Sequence, residues 1–413
     1  MSYDESECRA CRSDFPALSR KINGLPIAYF DGPGGTQVPG SVIEAIAQYY
    51  RQCNANTHGK FVTSEESDRV IQAAREAMAT MLGAPSWSCI SFGANMTTLN
   101  FSLSRAIVRD LHPGDEIVIT ALDHEANRGP WLNLRERGVV VREVALRPDG
   151  TLDGDDMAAK VGPRTRVVAV GWASNALGTV NDVALARELS RRHGAWLVVD
   201  AVHFAPHFPI DVVAADVDFL LCSAYKFYGP HVGVLYARPS LLASLHTDKL
   251  RTQDDEAPFC IETGTLNHAA LAGVTAAVEY RSRWGKGATL RERLVSASEA
   301  IAEWEHSLAR RYYDAVTAIP AVRIWGPGFD SGRRAPTVSI TVDKKPAKPA
   351  AEVAAFLGSQ GLAVWDGHFY AARAVEVLGV AEQGGLLRTG MSMYNTLEEV
   401  DRLVAAIAVA AGA

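Results

Sequence analysis

Leu197-Val198-Val199-Asp200-Ala201-Val202-His203 and Cys222-Ser223-Ala224-Tyr225-Lys226-Phe227-Tyr228-Gly229-Pro230 together decide the reading of this chain. The first is an apolar strand that ends in an acid. The second strand, Val217 to Cys222, ends in Ser-x-x-Lys, with aromatics crowding the lysine. An acid and a lysine at the ends of neighbouring apolar strands suggest two polar groups delivered to one sheet edge.

Outward from this pair, apolar strands alternate with helical patterns. Strands are expected at Ser88–Phe92, Glu116–Thr120, Val139–Val144, Val167–Gly171, Trp196–Asp200, Phe219–Ser223 and Gly233–Ala237. Helices are expected at Asn95–Asp110 and Val183–His193. This alternation predicts an α/β fold, a mostly parallel seven-stranded sheet covered by helices. Asp123-His124-Glu125, Ser174-Asn175, Asp200 and Ser223 follow strand C-termini, the edge where open α/β sheets bind ligands. After Gly285 the pattern changes to a long helix (Thr289–Thr317), strands at Val322–Trp325 and Thr337–Val342, a helix (Ala350–Gln360), a strand (Leu386–Thr389) and a last helix (Thr396–Ala411). That predicts a smaller α+β C-terminal domain. Lys344-Lys345-Pro346-Ala347-Lys348-Pro349 reads as an exposed loop.

The chain has 413 residues, 48% hydrophobic and 21% charged, with a net charge of −6. These are the proportions of a globular protein. There is no basic run for nucleic acid and no apolar stretch of membrane-spanning length. Met1 to Arg12 is polar and charged, unlike a secretory signal, so a cytoplasmic location is expected. The cysteines (Cys8, Cys11, Cys53, Cys89, Cys222, Cys260) are scattered, which argues against a disulfide framework. Cys8-x-x-Cys11 has metal or redox spacing, but no second such pair follows. A floppy N-terminal leader is the expected setting, and no metal site is expected.

A lone lysine after a strand is more often a surface residue, and a strand ending in Asp is common in α/β proteins, but the pair is also what a pyridoxal phosphate enzyme needs. A lysine amine can form a Schiff base with the cofactor aldehyde, and a carboxylate can keep the pyridine nitrogen protonated. Phe92-Gly93-Ala94-Asn95-Met96-Thr97-Thr98 lies between strand and helix, where free N–H groups suit a phosphate. Ser223 and Gly264-Thr265 could reach the same phosphate. His124 could lie on a cofactor ring and move protons. Asn175 and His203 could bond the ring's phenolic oxygen, and Arg388 could grip a carboxylate. Each also has a structural reading: Asn95 as a helix cap, Gly264-Thr265 as a turn, His124 as a loop residue, Arg388 as a surface ion pair. Arg128 and the His58 region are further candidates for substrate recognition, or structural groups.

From Tyr29-Phe30-Asp31 to Tyr394-Asn395-Thr396-Leu397-Glu398-Glu399-Val400-Asp401, these segments resemble the class V aminotransferase family of fold-type I pyridoxal phosphate enzymes, in its cysteine desulfurase and selenocysteine lyase branch. The resemblance implies Lys226 as the Schiff-base lysine, Asp200 at the ring nitrogen and His124 on the ring. It implies Asn175 and His203 at the ring hydroxyl, with His203 standing where the family commonly has Gln. Asn95, Met96 (through its backbone) and Ser223 would hold the phosphate, joined by Gly264 and Thr265 from a second subunit of a homodimer. Arg388 would take the substrate α-carboxylate. Residues 1–40 would pack with the small domain, 41–285 form the large domain and 286–413 the small one.

One departure stands out. Desulfurases of this family carry a loop cysteine where this chain has Trp365-Asp366-Gly367-His368-Phe369-Tyr370, and Tyr370 takes its place. No cysteine follows Cys260, and Tyr225 replaces the histidine that precedes the lysine. Only a thiolate can attack substrate sulfur to form a persulfide. The expected function is therefore a lyase that removes a β- or γ-substituent from a small amino acid without a persulfide cysteine. It could be a C–S lyase, or a β-decarboxylase or decarboxylative aldolase on an aspartate-like substrate. His368 and Tyr370 would close over the side chain. An aminotransferase or epimerase is the alternative. A non-enzymatic scaffold is disfavoured because Lys226, Asp200, His124 and Arg388 are all present.

Overall fold

The computed structural model describes residues 3–330, 332–343 and 348–412. Its central sheet has seven strands: β1 (Ile90–Gly93), β2 (Glu116–Thr120), β3 (Val140–Val144), β4 (Thr165–Gly171), β5 (Trp196–Asp200), β6 (Phe219–Ser223) and β7 (Gly233–Ala237). Their order is β1-β7-β6-β5-β4-β2-β3, parallel except for β7, which runs antiparallel to both neighbours. Alternate side chains feed two cores. Leu197, Val199, Leu220 and Cys222 pack on one face, and Val198, Phe219 and Leu221 on the other, all fully buried. Burial on both faces explains why these strands read as unbroken apolar runs. Each such side chain contributes about 1.5–3 kcal/mol, so a charge at Val199 would break the sheet where it carries Asp200.

The helices that matter for the site are set by local caps. α1 (Glu5–Ser13), α2 (Gly40–Gln52) and α3 (Val62–Leu82) precede the sheet. α4 (Met96–Val108) begins at Asn95, whose side chain accepts from Thr98 N (2.9 Å) while Thr98 Oγ1 accepts from Asn95 N (3.3 Å). This reciprocal box fixes the helix start beside the end of β1. α5 (Val183–His193) stops at Gly194, whose φ of +68° is the left-handed turn that glycine supplies without strain. α6 (His268–Ser282) and the long α7 (Leu290–Thr317) lead to the second sheet.

That sheet comprises β8 (Val322–Trp325), β9 (Thr337–Val342), β10 (Trp365–Gly367) and β11 (Leu386–Gly390), antiparallel in the order β8-β9-β11-β10. α8 (Ala350–Ser359) and α9 (Leu397–Ala411) complete the chain. Trp365 to Gly367, expected as loop, is strand because it pairs with Leu386 to Arg388 of β11. The expected strand at Ser88 begins at Ile90, since Ser86 caps a short turn over Trp87–Cys89.

The N-terminus is not the expected floppy leader. α1 is capped by Asp4, and Cys8 and Cys11 are fully buried in the same apolar cluster as Ile340, Leu387 and Leu403. Cys8 Sγ donates to Asn395 O (3.0 Å), and Arg12 pairs with Glu399 (2.8 Å). Of the expected 344–349 loop, 344–347 lie outside the described residues; Lys348 is exposed and its Nζ donates to Ala410 O (2.6 Å). Among the described residues no helix is long and apolar enough to cross a membrane.

Candidate active site

The ends of β1, β2, β4, β5 and β6 converge on one pocket. Asn95, Met96, His124, Asn175, Asp200, His203, Ser223 and Lys226 all line it. Lys226 sits in the turn that follows β6 and is 6% exposed. Burial, then the Arg388 guanidinium, push its amine down to about 7. Its Nζ donates to the carbonyls of Pro33 and Gly34. Asp200, at the end of β5, accepts from Val202 N (2.9 Å), and burial pushes its carboxyl up to about 6. The Lys226 amine opposes that rise, and against a protonated ring nitrogen the carboxyl would ionise fully.

His124 Nδ1 accepts from Ala126 N (3.0 Å), so the ring's proton sits on Nε2. Burial, then Lys226 and Arg388, hold its pKa down at about 4, and the imidazole is neutral. Ser223 Oγ accepts from Met96 N (3.3 Å), which brings a hydroxyl against the N-terminus of α4. Asn95 does act as a helix cap, and it lines the pocket as well. Asn175 Nδ2 donates to Phe369 O (2.8 Å), while its own carbonyl accepts from Arg388 (3.2 Å). His203 Nε2 lies 2.9 Å from Thr337 Oγ1 and its Nδ1 has no partner among the described residues.

Arg388 is 1% exposed on β11 and pairs with Asp31 (2.6 Å). The ion-pair reading is thus realised, but in a buried place. Arg388 Nε has no partner, and the guanidinium lies over the Phe369 ring at 4.3 Å. Tyr370 is 57% exposed, its ring 5.4 Å from that of His124. Tyr370 O accepts from Glu125 N (2.7 Å), and Tyr370 N donates to Nδ1 of the exposed His368 (3.0 Å). Gly264 and Thr265 are exposed and lie outside this chain's pocket. Arg128 spends its donors on Glu125, Glu143 and Thr120 O, and the His58 side chain points into solvent.

Asp123 was placed at the sheet edge by the sequence but given no role, and other groups were missed. Asp123 lines the pocket with its carboxyl raised to about 7 by burial, against an opposing hydrogen bond from Gly171 N, with Asp200 adding to the rise. Its position before His124 was the available signal. Asn181 lines the pocket with Oδ1 unpartnered. Asp31 and the Pro33 and Gly34 carbonyls meet Arg388 and Lys226 from far away in the chain, and nothing local marks them.

A buried lysine near neutrality, a buried acid, a neutral imidazole and a helix N-terminus with a hydroxyl fit pyridoxal phosphate group by group. On a mostly parallel sheet of this kind, they define a fold-type I pyridoxal phosphate enzyme. The aminotransferase class-V family model matches residues 28–403, and the chain belongs to that family. It is 35% identical over 412 residues to a cysteine desulfurase of Klebsiella pneumoniae, covering 96% of each chain. Its structure superposes on a cysteine desulfurase of Escherichia coli with TM-score 0.84, 28% identity and 98% of each chain covered. For a cysteine desulfurase of Thermococcus onnurineus the TM-score is 0.85 at 26% identity, with 96% of this chain and 98% of that one covered. The family is pyridoxal phosphate-dependent.

Proposed function

We propose that the chain is a pyridoxal phosphate-dependent lyase that removes a β- or γ-substituent from a small amino acid without passing it to a cysteine. The observation that carries this reading is the 368–370 loop. It sets Tyr370 beside His124 and ties down the Phe369 and Tyr370 carbonyls, and no cysteine lines the pocket. Cys53 alone is partly exposed; the other five cysteines are buried.

When bound, the cofactor supplies an electron sink for negative charge at the substrate Cα. Lys226 anchors it, and with a pKa of about 7 its amine is substantially unprotonated near neutral pH and can move the Cα proton. Asp200 would keep the ring nitrogen protonated. Neutral His124 would stack on the ring. Asn95, Met96 N and Ser223 would hold the phosphate, and Asn175 and His203 the ring hydroxyl. Arg388, with Nε free, takes the α-carboxylate. Gly264 and Thr265, exposed in this chain, serve the phosphate of a second subunit, so the working form is a homodimer with shared sites. Residues 41–285 and 286–413 act as large and small domains, with 1–40 joined to the latter. His368 and Tyr370 close over the side chain that leaves.

The test is a product assay. Holoenzyme is given cysteine, cysteine sulfinate, selenocysteine, aspartate and cysteine S-conjugates in turn, while pyruvate, alanine, sulfide and carbon dioxide are followed together. Pyruvate or alanine formed in step with the leaving group supports the lyase. Release of the keto acid with the amino group retained on the enzyme would make it an aminotransferase. A persulfide on any cysteine during turnover would overturn the thiol-free route.

A further inference from the structure

Buried polar side chains that the proposed chemistry does not use run from the pocket to the long helix α7. His203 lines the pocket; Thr337 Oγ1 occupies its Nε2, and Nδ1 is left without a partner among the described residues. The His207 ring packs edge-on against it, with centroids 5.1 Å apart and planes at 77°. His207 Nδ1 lies 2.7 Å from Glu305 Oε2 on α7. Glu305 is completely buried, and its Oε1 and His207 Nε2 have no partner among the described residues. The charged or titratable groups around this row are Lys226 and Arg388 on the His203 side, and Arg281 and Tyr228 beside Glu305.

A buried carboxylate against an imidazole is a poor staple. Two groups are taken out of water, and apolar side chains of the same volume often hold two elements together as well or better. What such a contact does supply is a fixed ring: the carboxylate keeps a proton on the nitrogen it faces and sets the plane of the imidazole. The ring fixed in this way is His207, which packs edge-on against His203 and holds its plane, while Thr337 Oγ1 faces His203 Nε2. The amide common at position 203 in the family presents a permanent donor, whereas an imidazole can carry its proton on either nitrogen. Burial, then His207, holds the His203 pKa well below the usual histidine value, so this ring is neutral and its tautomer decides what it offers the pocket.

We infer that Glu305 and His207 are positioning residues for His203. They fix its imidazole so that the free Nδ1 serves the ring-hydroxyl side of the cofactor. This rests on the pyridoxal phosphate reading above.

Glu305→Gln keeps the shape and removes the charge. Three quantities are read: the dissociation constant of pyridoxal phosphate, the pH midpoint of the holoenzyme's visible absorbance, and the unfolding temperature of the apoprotein. The expected result is a midpoint displaced from the wild-type value, since a His203 ring no longer held in place changes the hydrogen bonding at the ring-hydroxyl side of the cofactor, and a hydrogen bond to one form of a titrating group shifts its midpoint. His207→Gln should displace it too. On a His203→Gln background, Glu305→Gln should leave the midpoint where His203→Gln alone puts it. Glu305→Gln and His207→Gln proteins that melt earlier but keep the wild-type midpoint and dissociation constant would overturn the inference and leave a plain staple of α7. Wild-type protein that took up no cofactor would overturn the functional reading instead, a result distinct from an unmoved midpoint.

Discussion

Replacing Tyr370 by Phe should slow turnover about two- to twelvefold and leave the cofactor in place. The loop is held by its main chain: Tyr370 O accepts from Glu125 N, Tyr370 N donates to His368, and Phe369 O accepts from Asn175. Phenylalanine keeps all three contacts, and it keeps the ring 5.4 Å from His124. Only the hydroxyl is lost. One hydrogen bond to the substrate is worth about 0.5–1.5 kcal/mol, which at 25 °C is a factor of about two to twelve. Phe369 and Tyr370 have φ of +54° and +59°, a left-handed pair of non-glycine residues. Each costs about 1–2 kcal/mol, so Tyr370→Gly relieves strain and separates loss of the side chain from loss of the loop. The assay is kcat/KM on the preferred substrate, with visible absorbance as the check on cofactor. If Tyr370→Phe lost all turnover while retaining that absorbance, Tyr370 would be an essential acid–base group. An unchanged rate in both variants would remove Tyr370 from the substrate altogether.

Cofactor uptake by apoprotein should accelerate as pH rises from about 5 to 8 and then level off. Lys226, lowered to about 7, must lose its proton to react, and Asp200, raised to about 6, must lose its own to meet the ring nitrogen. A flat uptake profile would contradict both assignments. The same shifts bear on stability. Asp200 has a folded pKa above its unfolded one, so its contribution is complete below about pH 4 and fades as pH rises through about 6. Lys226 has a depressed pKa, so apoprotein gains stability from about pH 7 toward 10. Mixing Lys226→Ala subunits with Thr265→Ala subunits should partly restore activity, because one site of each heterodimer regains both groups; a fully active monomer at low concentration would refute shared sites. Glu262→Gln should cost about 3–5 kcal/mol, read as a lowered unfolding temperature. It breaks a buried two-pronged pair with Arg75 (both contacts 2.7 Å) and weakens the hold on Phe92 N.

Where the sequence spoke clearly, the reason was burial. β2, β5, β6 and β7 begin and end where their apolar runs do, because both faces of each strand are covered and a polar residue marks the exit. The same rule placed Asp200 and Ser223, since the residue that ends such a strand is the one delivered to the pocket, and Lys226 follows in the turn after β6. β10 was hidden because it is three residues long and holds its place by pairing with β11 rather than by pattern. The polar, cysteine-bearing α1 looked like a loose leader because its two buried residues are small, and its partners, Glu399 and Asn395, lie at the other end of the chain. Asp31 and the Pro33 and Gly34 carbonyls were hidden for a similar reason: main-chain oxygens carry no residue-type signal, and the Asp31–Arg388 pair spans the chain.

The central claim is that chemistry runs from Lys226, and Lys226→Ala tests it most directly. The variant, purified and given pyridoxal phosphate alone, should lack the visible absorbance of the wild-type holoenzyme, and with the preferred substrate added it should show no turnover. Turnover at the wild-type rate without this lysine would contradict the account.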